Sequence, residues 1–329
     1  MTSEYVSKGL RLTFMPYHDL WRRQRKLLHL LTQPKAATSY QPIQSQESAQ
    51  LCLDILNNPS EHWKHSQRYA GSTVLQIAFN RRALDITDPA ITKMREVNQK
   101  MVQTAVPGRY LIDSIPILRH LPQFLSPWKQ YGNQLFNETL DLFGELYRKV
   151  SQHPHPSSST CFVARIESLK KSYQLTDDQA IFLAGAMFGA GSDTTADAIE
   201  TFIFACAANP DKVAKAQEEL DRVVGRERLP EFSDEEALGL AHMTTEDDEY
   251  EGYFIPKGTA IVANHWSIHL DEATYKEPEK FIPERFIDPH TGSLIGTRWS
   301  VYGHHAFGFG RRICPGLYIA NKFNSLQED

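Results

Sequence analysis

The segment from Thr176 to Pro210 constrains what this chain can fold into more than any other. It opens with Thr176-Asp-Asp-Gln179, a capping box in which the threonine hydroxyl and the glutamine side chain each satisfy a backbone amide that the first turn leaves without a partner. It closes with Asn209-Pro210, because proline lacks the amide hydrogen needed to continue a helix and is well placed to start the next one. Between these signals, apolar residues run almost unbroken from Ala180 to Gly191. The spacing predicts one helix reaching Ala208, about thirty residues and roughly 45 Å long. Apolar on nearly every side over its first half, such a helix is stable only when other elements enclose it. The apolar run is shorter than the ~20 residues that a bilayer-spanning helix needs. A mainly helical protein built around a buried central helix is the fold class expected.

Composition sets the outer bounds. The 329 residues, 41% of them hydrophobic and 23% charged, suffice for a sizeable core in one large domain or two ordinary ones. A net charge of -5 excludes a general attraction to nucleic acid or to an anionic membrane, so any basic partner surface must be local. Cys52, Cys161, Cys206 and Cys314 lie far apart with no C-x-x-C pair, which argues against a disulfide framework or zinc ribbon and fits a reducing compartment. The opening MTSEYVSKGLRLTF holds no apolar segment of the kind a secretory signal or membrane anchor requires, so the chain as given carries no address of its own.

Other elements follow from periodicity and punctuation. Asp19 to Leu31 places Trp21, Leu28 and Leu31 against Arg22, Arg23, Arg25 and Lys26, a strongly basic amphipathic helix. A second helix is expected over Ser48 to Asn58, whereas Ser72 to Phe79 suits a buried helix or a strand equally. Prolines 107, 116, 122 and 127 break residues 106–129 into loops and short helices. Helix resumes at ETLDLFGELYRKV, and Ser151 to Thr160 reads as an exposed low-complexity connector. After residue 245 the texture changes: EGYFI and TAIVANH, separated by Pro256-Lys257-Gly258, predict an antiparallel hairpin, giving a small β component.

Two stretches break local rules in ways that point to chemistry. Inside the central helix, Ala190-Gly-Ser-Asp-Thr-Thr195 puts a glycine, a carboxylate and hydroxyls where apolar residues would serve helix and core better. That pattern suits a widened groove where a ligand lies near Gly191 and where Asp193 and Thr194 handle protons; a kink filled by neighbouring side chains is the structural alternative. Near the end, FGFGRRICPG holds Cys314 among glycines and arginines. Phe307, Gly310, Arg312, Cys314 and Gly316 fit F-x-x-G-x-R-x-C-x-G. The glycines permit close approach to a flat ligand, Phe307 can pack beside the sulfur, and Arg312 can pair with a ligand carboxylate. A metal site built from His304, His305 and Cys314 is disfavoured because adjacent side chains diverge.

With these motifs in order, the chain resembles the cytochrome P-450 superfamily of haem-thiolate monooxygenases, and looks like a fungal microsomal-type member. Ala190 to Thr195 matches the family's oxygen-activation motif, Trp21 with Arg25 its W-x-x-x-R helix at the haem propionates, and Pro283-Glu-Arg-Phe286 its PERF element. The resemblance implies a single cytochrome P-450 domain over residues 1–329, with haem b as cofactor and Cys314 as the axial thiolate to iron. Phe307, Arg312, Trp21, Arg25 and Gly191 would bind the cofactor, and Asp193 with Thr194 would relay protons. It also implies insertion of one atom of O2 into an apolar substrate, with a role in fungal secondary metabolism and electrons from NADPH through a flavoprotein reductase. Arg22, Arg23 and Lys26 offer such a reductase a basic docking face. Family members of this type sit in the endoplasmic reticulum membrane facing the cytosol; the localisation of this chain is open.

The departures define a second expectation. Relative to the family, the chain lacks the N-terminal portion, ends partway through the helix after Cys314, and passes from Leu240 to Met243 where a helix carrying E-x-x-R belongs. The E-x-x-R strings at Glu145 to Arg148 and Glu219 to Arg222 lie in the wrong place to substitute. Loss of that helix is expected to leave the Arg285 guanidinium unpaired. Two functional readings therefore stand at this point: a monooxygenase, or a truncated, non-catalytic remnant that binds haem poorly or not at all.

Overall fold

His18 ends an extended segment and accepts the Trp21 amide on its ring Nδ1 at 3.4 Å, which starts helix α1, Asp19–Thr32, where the basic amphipathic pattern places it. The computed structural model describes residues 1–106, 108–152, 161–223, 242–243, 248–250, 253–255, 260–261, 268, 270–282, 285, 307–308 and 312–324. These fall into two units, Met1–Glu200 and Thr201–Asp329.

In the first unit α1 buries Trp21, Gln24, Leu27, Leu28 and Leu31 along one stripe. The short α2, Pro34–Thr38, leads into α3, Gln41–Asn57, which begins seven residues ahead of the expected Ser48 because Pro42 sits in its first turn, where a missing amide costs nothing. The ambiguous STVLQIAF is the end of a longer helix, α4, His62–Phe79. It is buried on all sides from Arg68 to Val74, so no periodicity was available to identify it. Asn80 closes it in the left-handed conformation, φ 51°. Asp88 caps α5, Pro89–Thr104, by accepting the Ala90 amide at 2.9 Å. The proline-broken stretch folds as α6, Leu111–Ser114, and two single 3-10 turns, leaving Leu111, Ile117 and Phe124 exposed. α7, Pro127–Ser151, and α8, Phe162–Leu169, follow; most of the serine-rich connector between them lies outside the described residues.

The central helix α9 spans Asp177–Ala208, as the sequence predicts. Its capping box is formed in both directions: Gln179 N–H donates to Thr176 Oγ1 at 3.3 Å, and Thr176 N–H to Gln179 Oε1 at 3.1 Å. Phe182 stacks on Phe136 of α7 and meets the Phe143 ring edge-on, while Phe188 meets Phe79 of α4 edge-on. Two glycines explain how the helices come so close. A Cβ on Gly185 would stand 2.2 Å from the Phe143 ring, and one on Gly191 would stand 2.6 Å from Val74 Cγ1. Between α3 and α4, the fully buried Glu47 carboxylate takes Arg68 Nη1 at 2.6 Å, Arg82 Nε at 2.5 Å and Gln76 Nε2 at 2.8 Å.

In the second unit α10, Pro210–Val223, starts at the expected Asn209-Pro210 junction. Among the described residues the β component consists of two antiparallel pairs, and here the expected hairpin is corrected. β2, Asp248–Tyr250, pairs with β3, Tyr253–Ile255, with Tyr250 opposite Tyr253, so the connection is the two residues Glu251-Gly252. Two-residue loops containing glycine are the most favourable hairpin connections; Pro256-Lys257-Gly258 lies outside the described residues. Ala260–Ile261, β4, pairs instead with β1, His242–Met243. The last helix, α11, is Leu317–Asn324. Among the described residues no helix is long and apolar enough to cross a membrane.

The expectation of an unpaired Arg285 is also corrected. Its guanidinium donates to the Lys276, Glu277 and Lys280 carbonyls at 2.7, 3.0 and 2.8 Å, and its Nε to the Ile282 carbonyl at 3.2 Å. Arginine carries five N–H groups in a rigid fork, and main-chain oxygens meet that demand as carboxylates would.

Candidate functional site

The polar break in α9 is fully helical, and its Thr194 hydroxyl folds back onto the backbone. Thr194 Oγ1 donates to the Ala190 carbonyl at 2.7 Å, the back-bonding that its place in the sequence foretells. Ser192 and Thr195 are buried, and Ser192 Oγ has no hydrogen-bond partner. Asp193 Oδ2 accepts from Asn98 Nδ2 of α5 at 2.8 Å. The same amide donates to the Gly189 carbonyl, one turn earlier on α9, at 2.9 Å. Burial pushes the Asp193 carboxyl above the ordinary carboxylate range; the hydrogen bond from Asn98 opposes this, the negative charge of Asp197 reinforces it, and Arg95 opposes it. Gly191 makes its close approach to Val74, so packing alone supplies a reason for a glycine there.

Asn98 was not singled out from the sequence, though a signal was present. α5 turns Ala90, Ile91, Met94 and Val97 inward, and Asn98, seven residues after Ile91, is the polar residue that continues this stripe. An amide on an apolar helix face must find buried partners.

On α1, Trp21 is buried with its ring 5.1 Å from that of Tyr17, and Arg25 lies half-buried one turn later. The basic face divides in use. Arg23 Nη1 donates to the Tyr173 and Gln174 carbonyls at 3.0 and 2.9 Å, holding the connection that enters α9. Arg22 bonds Asp19 on its own helix, and Lys26 is exposed.

In the second unit, the Cys314 N–H donates to the Phe307 carbonyl at 2.9 Å, which brings the two ends of the glycine-rich loop together. Gly308 sits at φ 70°, a conformation that glycine adopts without strain. Gly310 lies outside the described residues. The Cys314 thiol is half-buried three residues before α11, whose first turn bonds back to the Gly316 carbonyl. A Cβ on Gly316 would stand 3.7 Å from the sulfur. Desolvation draws the Arg312 guanidinium below its usual proton affinity.

These features fit a thiolate ligand: a soft sulfur with partial access, close to the positive end of a helix that favours the ionised form. Among the described residues no group of three or more His, Cys, Asp or Glu could hold a metal ion.

Comparison with known proteins gives matches along almost the entire chain. The family model described as Cytochrome P-450 matches residues 1–240 and again 236–322. The cytochrome P-450 monooxygenase verL of Clonostachys rogersoniana is 36% identical over 350 positions, covering 98% of this chain and 64% of that protein. The cytochrome P-450 monooxygenase 58 of Postia placenta is 33% identical over 98% of this chain and 65% of its own length. For drtD of Aspergillus calidoustus the identity is 33%, over 97% of this chain and 62% of the relative. The chain thus spans less than two thirds of the length of these relatives. The match to verL needs 350 alignment positions against the chain's 329 residues, so at least 21 positions fall opposite gaps in this chain.

Proposed function

Because the chain belongs to the cytochrome P-450 family, we propose that residues 1–329 act as one domain of a haem-thiolate monooxygenase, inserting one oxygen atom from O2 into an apolar organic substrate. The observation that carries this reading is the Cys314 loop: a half-buried thiol pinned by its own amide to Phe307 and next to a helix start. When bound, haem would supply the redox chemistry that activates dioxygen, a general property of the family.

The protein's own groups take the remaining tasks. Cys314 would hold the iron as thiolate, favoured by the helix start and by loop amides. Phe307 would shield the sulfur, and Arg312, Trp21 and Arg25 would neutralise or hydrogen-bond the cofactor's carboxylates. Asp193, its proton affinity raised by burial, would gain and release protons, and Thr194 would orient them through its hydroxyl. Electrons would come from NADPH through a flavoprotein reductase docking on a basic surface; Arg22 and Lys26 of α1 are available to it, whereas Arg23 already holds the connection into α9. A place in fungal secondary metabolism and a site at the endoplasmic reticulum membrane belong to the same proposal.

One observation favours the non-catalytic reading. The family model matches in two pieces that meet at residues 236–240, where the E-x-x-R helix would follow, and the alignment with verL opens gaps in this chain. A single spectrum separates the two readings. The chain is expressed with haem supplementation, reduced, and exposed to carbon monoxide. A thiolate-type Soret band that disappears in Cys314→Ala supports the monooxygenase; absence of haem uptake supports the remnant.

A further inference from the structure

We propose that Asn98 is a positioning residue for proton delivery, a role that rests on the monooxygenase reading: its side-chain amide, carried on α5, clamps the Asp193 carboxylate against the turn of α9 that precedes it.

Three observations carry this. Asn98 is 4% exposed, so its amide cannot turn to water for hydrogen bonds. Both hydrogens of Nδ2 are used on α9, on the Gly189 carbonyl at 2.9 Å and on Asp193 Oδ2 at 2.8 Å. The Gly189 carbonyl is an acceptor only, and so is Asp193 when ionised, which sets the amide orientation; turned over, Oδ1 would face a carbonyl and a carboxylate. The approach is also close. A Cβ on Gly189 would stand 3.4 Å from Asn98 Oδ1 and 3.3 Å from Met94 Cε, so the glycine leaves α5 room to seat the amide.

The Gly189 carbonyl is the helical acceptor for the Asp193 amide, four residues on. The clamp therefore grips the acid and its own helical turn together and fixes the carboxylate's direction. It engages Oδ2 and leaves Oδ1 to carry a proton. It also sets proton affinity, because an amide donor favours the ionised carboxylate while burial favours the neutral acid. The other charged groups that act on the carboxylate are Arg95 of α5, which favours ionisation, and Asp197 of α9, which opposes it.

The test has two arms. In the first, unfolding of the chain is followed from acidic to neutral pH for wild type, Asn98→Leu, Asp193→Asn and the double variant. The folded state holds the Asp193 proton more tightly than the unfolded chain, so this group's contribution to stability falls as pH rises through its raised folded value. Removing the amide raises that value further. The loss caused by Asn98→Leu should therefore grow with pH, and the growth should vanish when residue 193 is asparagine. A loss of equal size at every pH, unchanged in the Asp193→Asn background, would mean that Asn98 only packs, and overturns the clamp. Asn98→Ser serves in the same cycle if leucine is not accommodated.

The second arm uses the haem-loaded protein with an NADPH-dependent reductase, and measures peroxide released against NADPH consumed. Positioned proton transfer is worth ~10²–10⁴-fold; Asn98→Leu should forfeit part of that, on the order of tenfold in coupled turnover, with the carbon-monoxide spectrum and substrate KM retained. Asn98→Gln, which keeps an amide donor, should recover part of the coupling. An intact spectrum with unchanged coupling overturns the positioning role. A chain that never yields the thiolate-type spectrum overturns the monooxygenase reading and this role with it, while the pH cycle still decides whether the clamp itself exists.

Discussion

Replacing Glu47 by Gln should destabilise the first unit far more than its nearly unchanged shape suggests. The carboxylate is fully buried, and the Arg68 side chain that meets it at 2.6 Å is only 4% exposed. Removing one partner of such a pair strands the other charge and costs ~3–5 kcal/mol. Two details place this case at the lower end. Arg68 keeps Asp54 at 2.9 Å through Nε, and Arg82, which is 30% exposed, can turn to water, so its share is small. A loss of about 3 kcal/mol, with m near 3 kcal/mol per M in urea, moves the unfolding midpoint down by about 1 M. Urea titration followed by far-UV circular dichroism reads this directly, and m should stay constant. Glu47→Leu combined with Arg68→Met should recover most of the loss, because a buried ion pair adds little over apolar residues of similar volume. A midpoint that moves by less than about 0.3 M in Glu47→Gln, or a double variant no better than the single one, would refute this account of the α3–α4 contact.

Gly185→Ala removes a poor helix former yet should lower stability. The Cβ would meet the buried Phe143 ring at 2.2 Å, and overpacking of ~1–3 kcal/mol outweighs the ~1 kcal/mol of helix propensity gained. A melting curve should show a drop of a few degrees, and Phe143→Leu in the same chain should reverse it. Arg11→Met should leave stability unchanged or raise it by roughly 1–2 kcal/mol, since the buried guanidinium has no hydrogen-bond partner for Nε or Nη2 and lies over the Phe143 ring. Desolvation lowers the Arg11 pKa to about 10, so its burden on the fold is full below that pH and eases as pH rises above it; a gain from Arg11→Met that does not shrink under alkali would count against this cause.

How much of this was legible in the sequence depended on how local each cause was. The ends of α9 were readable because Thr176, Gln179 and Pro210 act within a turn of their own position. The same holds for the back-bond of Thr194 to Ala190. The Cys314 loop could be found because its glycines, arginine and cysteine lie within one short stretch, and the hydrogen bond from the Cys314 amide to Phe307 spans only seven residues. What escaped was non-local. Asn98 lies 95 residues from Asp193, and nothing near either position announces the other. Arg285 was expected to stand unpaired because a sequence pattern displays only side-chain partners; main-chain carbonyls leave no trace in it. The hairpin failed for a related reason. Two glycine-containing turns stood close together, and only the pairing of distant strands such as His242–Met243 with Ala260–Ile261 decides between them.

The choice of partners for Arg285 makes this part of the chain tolerant of sequence drift. The oxygens that hold the guanidinium belong to Lys276, Glu277, Lys280 and Ile282, but none belongs to their side chains. Each of those four residues can be exchanged without deleting an acceptor, provided that the main-chain path survives. The selective burden then falls on two things only: the planar fork at position 285, which a lysine with three donors on one nitrogen cannot imitate, and the number of residues between 276 and 285, where a single insertion or deletion would carry several acceptors out of reach together.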